Sequence, residues 1–211
     1  MRKLFLFSIL ALLLASCKSN EEKAAELIKN ELYKTLYDFD SYQPIETKVS
    51  EAKLSIYNDS TFRSKGALFA YSLKKIKEYI EEAEDAKDRM DIWGRPTYYS
   101  STYSDNKYYE YKEKWESALS KAKEYKSILD TLAKEIRDTS ASLDTNQIIG
   151  WEVLHKFRCK TKGGTPTIGD YRYVIDKKFK RIIMREDLDD EDDESIRTGI
   201  QLAMTWDSEE E

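Results

Sequence analysis

The segment YYEYKEKWESALSKAKEYKSILDTLAKEI, residues 108–136, indicates the fold of this chain more clearly than any other. Its aromatic and apolar residues alternate steps of three and four over four heptads, which is typical of a helix with a coiled-coil-like seam. They are Tyr108, Tyr111, Trp115, Ala118, Ala122, Tyr125, Leu129, Leu132 and Ile136. The spacing predicts a long helix that begins at Asp105 or Asn106 and ends near Arg137.

A second helix of similar length is predicted between Lys65 and Trp93. Its apolar residues recur at spacings of three and four, interrupted by Lys87; they are Phe69, Leu73, Ile76, Ile80, Ala83 and Met90. Gly94 and Pro96 end this helix. Two helices of similar length joined by a short loop favour an antiparallel hairpin, which we place at residues 65–138.

The loop of this hairpin is polar and rich in aromatic residues. It contains Tyr98, Tyr99 and Tyr103, and Trp93 precedes it. Aromatic side chains at an exposed tip can anchor a protein partner or stack on a sugar. The alternative is that they pack on the end of the hairpin. Trp93, Tyr98, Tyr99 and Tyr103 are therefore our candidates for contact with a protein partner or a glycan.

Four strands are predicted from alternation of apolar and polar residues. They cover Ile45–Tyr57 before the hairpin, and Ile148–Lys162, Ile168–Asp176 and Phe179–Arg185 after it. A helix is also predicted at Glu21–Tyr37 from helical spacing of apolar residues. The fold class expected is α+β, with an N-terminal helix packed on a small antiparallel sheet of about four strands and a long antiparallel helical hairpin inserted.

Alternation along the second strand divides its side chains between two faces. Lys156, Arg158 and Lys160 form a candidate basic face, and the opposite face carries His155 and Cys159. Nucleic acid is not an expected partner, because the formal net charge of the chain is −5. His155 is the only histidine, which excludes most catalytic dyads and multi-histidine metal sites. The remaining enzyme hypothesis pairs His155 with Asp170 in a cavity.

The C-terminal segment, residues 186–211, is strongly acidic. It holds 12 acidic side chains and one base, Arg197, and predicts a solvated tail with a short helix near Ser195–Trp206. The glycine and the ligand order of a calcium-binding EF-hand loop are missing. The sequence predicts no metal site, no cofactor and no catalytic residues.

The first residues have the pattern of an export signal. Met1–Lys3 is basic, and Leu4–Ala15 is an apolar run that is too short to cross a bilayer, which needs about 20 residues. The run ends in Leu14-Ala15-Ser16-Cys17, which resembles the lipobox of bacterial lipoproteins. The resemblance implies a signal peptide at residues 1–16, and a mature N-terminus at Cys17 that carries several acyl chains, such as palmitate, in a membrane.

This resemblance also bears on localisation and on the domain organisation. Lys18 stands where lipoproteins retained at the inner membrane carry aspartate, so an outer-membrane anchor is expected, facing the periplasm or the cell surface. The mature chain is then expected to comprise a single α+β domain at 17–185 followed by the acidic tail.

Three further segments resemble small uncharacterised secreted bacterial domains of cystatin-like or NTF2-like shape. They are Tyr37–Glu46, which joins the first helix to the first strand, Trp151–Gly164, the second strand with its Gly-Gly ending, and Tyr173–Ile182, which resembles the closing hairpin of those domains. Phe39 departs from the proline of that pattern, and Thr161 or Lys162 departs from its asparagine. The resemblance implies structure only, because no catalytic residues are defined for these domains.

The function expected from these features is that of a non-enzymatic cell-envelope lipoprotein that binds another protein or has a structural role. The alternative is a glycan-binding accessory lipoprotein that uses the tyrosine-rich loop.

Overall fold

The computed structural model describes residues 18–207. This part of the chain contains four helices and four strands, in the order α1 (Asn20–Thr35), β1 (Asp38–Lys53), α2 (Ser60–Trp93), α3 (Thr102–Ser140), β2 (Ile148–Lys160), β3 (Pro166–Asp176), β4 (Ile182–Asp187) and α4 (Glu191–Thr205). The strands form one antiparallel sheet in the order β1-β2-β3-β4. The predicted α+β class, with an N-terminal helix and a long helical hairpin between β1 and β2, is confirmed.

The described residues form two compact units. One comprises residues 18–54 and 145–190, and contains α1 and the sheet. The other comprises residues 55–144 and 191–207, and contains the hairpin and α4. Residues 186–207, which the sequence predicts as part of an acidic tail, contribute the end of β4 and all of α4.

In the first unit, α1 packs its apolar stripe on the sheet. Ser19 caps the helix in a capping box with Glu22, which satisfies two backbone N–H groups at its start. Ala24, Ile28 and Leu32 are fully buried. They contact a cluster from β2 and β3 that comprises Val153, Phe157, Cys159, Tyr171, Tyr173 and Ile175. Burial of a side chain the size of Ile28 or Leu32 contributes about 1.5–3 kcal/mol.

β1 is longer than the sequence predicts, because it begins at Asp38 rather than at Ile45. The pairing with β2 is irregular around Pro44, between Asp38 and Gln43 and again between Pro44 and Glu46. β1 is an edge strand, where a proline costs no ladder hydrogen bond if its nitrogen faces away from the neighbour. The irregular pairing explains why simple alternation did not locate the start of this strand.

In the second unit, α4 lies on the base of the α2–α3 hairpin. The three helices share a core made of Phe62, Phe69, Leu129, Leu132, Ala133, Ile136, Ile200 and Ala203. The C-terminal end of α4 is held by Arg137, whose Nη1 donates to the carbonyls of Ala203 at 3.2 Å and Trp206 at 2.8 Å. The indole of Trp206 also donates to the carboxylate of Asp130 at 2.8 Å. The core and these polar contacts fix α4 on the hairpin.

Beyond the reach of this core, the seam of the hairpin is built mainly from small side chains. Ala83 and Ala86 of α2 are buried, as are Ala118 and Ala122 of α3. Ile80, which the sequence places in the seam, is instead 43% exposed.

No helix between residues 18 and 207 is both long and apolar enough to cross a membrane.

The backbones of α2 and α4 touch at a pair of glycines. A Cβ on Gly199 would lie 2.2 Å from the carbonyl oxygen of Gly66, and a Cβ on Gly66 would lie 2.4 Å from Cγ1 of Ile200. These distances are shorter than any van der Waals contact, so neither position has room for a side chain. The two glycines therefore set how closely α4 can approach the hairpin.

Replacing Gly199 with leucine should destabilise the second unit by about 1–3 kcal/mol or more, because the new side chain meets the backbone of α2. Leucine has a higher helix propensity than glycine, so a loss of stability would come from packing. The free energy of unfolding from urea titration is the measurement. Thr198→Leu, at an exposed position of the same turn, is the control and should change it little. Equal stability of the two variants would contradict the close approach.

Candidate functional site

The loop that joins α2 to α3 is held in shape by its own hydrogen bonds. Gly94 follows α2 with a φ of 66°, which glycine adopts without strain. The hydroxyl of Ser101 accepts from the backbone N–H of Ser104 at 3.1 Å and so caps α3. The hydroxyl of Ser104 donates to the carbonyl of Trp93 at 3.1 Å. This last bond ties the end of α2 to the start of α3 at the base of the loop.

The four candidate aromatic residues form two separate pairs. Tyr98 and Tyr99 are 95% and 93% exposed, and their rings meet edge to face at 5.3 Å. Trp93 is partly buried and meets the ring of Tyr103 edge to face at 5.5 Å. The two pairs therefore differ in their surroundings. Trp93 packs at the base of the loop, whereas Tyr98 and Tyr99 extend into solvent.

Tyr98 and Tyr99 can each bury most of a large ring on contact with a partner. Their rings are perpendicular, with an interplanar angle of 89°, so they do not make one flat platform. A sugar could stack on one ring at a time, whereas a concave protein surface could enclose both. Tyrosine is enriched at the centre of protein interfaces because it combines apolar area with a polar hydroxyl.

Other tyrosines of the hairpin are already in contact with cations. The ring of Tyr111 contacts two cations. The guanidinium of Arg89 lies 5.8 Å from the ring centroid, and the ammonium of Lys114 lies 5.0 Å from it. Glu110 accepts from Lys107 at 2.7 Å and from Lys114 at 2.8 Å, and these two bonds lower its carboxyl pKa to about 2. The spacing of Lys107, Glu110 and Lys114 is that of helical ion pairs, and this is the signal by which the cluster could be found in the sequence.

A second cluster lies nearer the base of the hairpin. Tyr125 contacts the rings of Tyr71 at 6.3 Å and Tyr79 at 5.9 Å. Lys75 lies over Tyr71 at 5.7 Å, and Lys121 lies over Tyr79 at 5.1 Å. These rings are stabilised by neighbours within the hairpin. Among the described residues, by contrast, the ring contact of Tyr98 and Tyr99 is with each other.

The candidate basic face is partly neutralised. Lys156 forms a cross-strand ion pair with Asp170 at 3.2 Å, in the register that places these two residues opposite each other. Arg158 and Lys160 lie on the same face of β2 and are exposed. The positive charge of this face is therefore smaller than the sequence suggests.

His155 lies on the other face of β2, where it is fully buried. Its Nε2 and the hydroxyl of Tyr42 are 2.9 Å apart, and its Nδ1 and the hydroxyl of Thr47 are also 2.9 Å apart. A hydroxyl can donate or accept, so the neutral ring is fully satisfied. Burial lowers the imidazole pKa to about 4. The hypothetical pairing with Asp170 is wrong, because Asp170 contacts Lys156 on the opposite face of the sheet.

Two further reactive groups are buried beneath α1. Burial raises the pKa of the Cys159 thiol, and the nearby Asp38 raises it further. A raised pKa keeps the thiol protonated, which makes it a poor nucleophile. Burial also raises the pKa of Tyr173, whose hydroxyl has no hydrogen-bond partner among the described residues. These groups, like His155, are buried and neutral.

A groove of about 780 Å³ runs between α1 and the start of β1. The α1 wall is one helical face, made of Glu22, Ala25, Glu26 and Lys29, and Lys18 continues it. The β1 wall is made of Phe39, Asp40, Tyr42 and Pro44. Phe39 stacks on Tyr42 at 5.4 Å, with an interplanar angle of 9°, and Tyr42 is bonded to His155. The β1 wall is therefore fixed by contacts that lead into the core.

The predicted lipidation residue, Cys17, lies outside the described residues, which begin at Lys18.

Between residues 18 and 207, no three His, Cys, Asp or Glu side chains come together in a group that could hold a metal ion. No protein-family model, no curated protein and no solved structure matches this chain.

The pH dependence of stability should report the buried His155. Its folded pKa of about 4 is below the ordinary value of 6.5, so the unfolded chain binds a proton that the folded chain excludes. The stabilisation is therefore complete above pH 6.5 and is lost as the pH falls toward 4. Relative to His155→Gln, the wild type should lose up to roughly 1.4 kcal/mol per pH unit across this range.

Urea titrations of both proteins at several pH values provide this measurement. Because the chain has one histidine and the variant keeps every carboxyl group, the difference between the two curves isolates His155. A difference in unfolding free energy that does not change between pH 7 and pH 5 would contradict a buried neutral imidazole.

Proposed function

We propose that this chain is a lipid-anchored cell-envelope protein, without enzymatic activity, that presents the tip of its helical hairpin to another protein. Cys17 carries the lipid, the anchoring membrane is the outer membrane, and the body faces the periplasm or the cell surface. The observation that carries the proposal is the pair of almost fully exposed tyrosines, Tyr98 and Tyr99, at the end of the hairpin.

The N-terminal sequence supports the anchor. A basic start, a short apolar run and the Leu14-Ala15-Ser16-Cys17 ending occur in the order that lipoprotein export requires. A single acyl chain binds membranes only marginally, whereas two or more give stable anchoring. Lipid at Cys17 would place the anchor three residues before the start of α1 at Asn20.

The geometry of the hairpin supports a contact role for its tip. The packed core with α4 reaches as far as Ile76, and α2 continues to Trp93. At 1.5 Å per residue this leaves about 25 Å of hairpin between that core and the loop. The loop is tied at its base by the bond between Ser104 and Trp93. A tip held in this way can present Tyr98 and Tyr99 with little loss of conformational freedom on binding.

Charge supports a protein partner over a polyanion. The loop between Trp93 and Thr102 carries one charged side chain, Arg95, beside its two exposed tyrosines. An interface core with few charges and exposed tyrosine is characteristic of protein recognition. A glycan remains the alternative ligand, since either exposed ring could stack on a sugar.

The anchor is tested by Cys17→Ser. The wild type should fractionate with membranes, whereas the variant should move to the soluble fraction because it has no thiol to acylate. Mass spectrometry of the N-terminal peptide should show acylated Cys17 in the wild type. Membrane association of the variant equal to that of the wild type, or an unmodified Cys17, would contradict the proposed anchor.

The tip is tested by the double variant Tyr98→Ala, Tyr99→Ala. The full lipidated chain is used to capture partners from detergent-solubilised envelope. Loss of two interface tyrosines should weaken capture of a specific protein by at least about 30-fold, since such residues contribute 2 kcal/mol or more.

Tyr33→Ala, Tyr37→Ala is the matched control, because these tyrosines are 69% and 72% exposed on the other unit. It should capture the partner as well as the wild type does. Equal capture by the tip variant would contradict the proposal. Binding of the wild type to a glycan array, lost in the tip variant, would favour the glycan alternative instead.

A further inference from the structure

We infer that the groove between α1 and β1 receives one of the acyl chains carried by Cys17. This inference rests on the proposed lipid anchor, and it adds a binding site and a ligand to it. The occupant is a saturated hydrocarbon chain that belongs to the protein itself.

Position is the first argument. Lys18 is the residue after Cys17, and its side chain lines the groove. The ammonium of Lys18 pairs with the carboxylate of Glu26, two turns into α1, which holds the start of the described chain against the groove wall. Because Cys17 directly precedes Lys18 in the sequence, an acyl chain attached to Cys17 is within reach of the groove.

The chemistry of the walls is the second argument. The surface is mainly apolar and includes Ala25, Phe39, Tyr42 and Pro44. The lining also carries five charged side chains, all of them exposed: Lys18, Glu22, Glu26, Lys29 and Asp40. The methylene groups of the longer ones can cover hydrocarbon while their charged ends remain in water. A slot with an apolar floor and a charged rim suits a chain of methylene groups, which has no polar atoms to satisfy.

Shape is the third argument. Residues 22, 25, 26 and 29 lie on one face of α1 over two turns, so the groove is elongated along the helix by about 10 Å. The opposite wall is preformed, since Phe39 is stacked on Tyr42 and Tyr42 is bonded to the buried His155. An elongated, preformed groove can accept an extended chain without the cost of opening a pocket.

Placing one acyl chain in the groove is compatible with membrane anchoring, because two acyl chains are enough for stable membrane binding. A lipoprotein with several chains on Cys17 can place one in the groove while the others remain in the bilayer. The bound chain would then hold α1 and the start of β1 close to the membrane surface.

The test uses cells grown with a palmitate analogue that carries a photoreactive diazirine at its end. The full-length protein is purified, and mass spectrometry first reads whether the label is on Cys17. Absence of label there is a failure of the anchor, and is separate from any result on the groove. With the label present, irradiation should crosslink it within the same chain to the groove segment of β1, residues 38–44.

Ala25→Trp should fill the groove and lower this crosslink by about tenfold or more, as expected when a side chain overpacks an occupied site. Lys34→Trp, at an exposed position of α1 outside the groove, should leave it unchanged. If Ala25→Trp fails to fold, Ala25→Glu introduces a charge into the groove with a smaller side chain and should have the same effect.

Three results would overturn the inference. The first is a labelled Cys17 whose crosslinks go to phospholipid alone. The second is a crosslink to β1 that survives in both Ala25 variants. The third is crosslinking of free photoreactive palmitate to residues 38–44 of Cys17→Ser when the lipidated wild type shows no internal crosslink, since the groove would then take an external lipid.

Discussion

The contact between the backbones of Gly66 and Gly199 is the constraint on which the hairpin unit depends. It brings α4 close enough to α2 for Ile200 and Ala203 to enter the same core as Phe69. A bundle of three helices at the base stabilises a hairpin whose outer part has only a narrow seam. The outer part of the hairpin extends beyond this core, and its loop contains residues that do not take part in the core. The exposed tyrosines of the tip, Tyr98 and Tyr99, lie in this loop, outside the three-helix core.

The sheet unit is organised around a different kind of contact. Its buried polar group, His155, is kept neutral and is bonded to Tyr42 and Thr47 of the edge strand. These bonds hold the irregular start of β1 against the rest of the sheet, despite Pro44. The same Tyr42 supplies a wall of the groove beside α1. A buried, satisfied histidine thus has a structural role here that shapes a surface next to the proposed anchor.

Much of this architecture could be predicted from the sequence, because it depends on local periodicity. The unbroken three-four spacing from Tyr108 to Ile136 predicts α3, and alternation predicts the strands after the hairpin. The start of β1 was missed because its pairing is irregular. Ile80 was misplaced because helical spacing alone does not tell which of two adjacent stripes faces the partner helix.

The candidate sites were less predictable, since they depend on contacts between distant residues. The bond between Tyr42 and His155 joins residues 113 positions apart. The groove beside α1 combines a helix face with the start of a strand, and nothing in either segment alone indicates it. The exposure of Tyr98 could be anticipated as one of two alternatives, whereas the partial burial of Trp93 beside Tyr103 required the geometry of the loop.

The proposed function depends on contact between the hairpin tip and a protein in the envelope. A photoreactive benzoylphenylalanine in place of Tyr99, irradiated in intact cells, tests this contact. We expect a discrete crosslinked product with one other protein, and none from the same residue placed at Tyr37, which is also exposed. Crosslinking from position 99 that is no greater or more specific than from position 37 would contradict it.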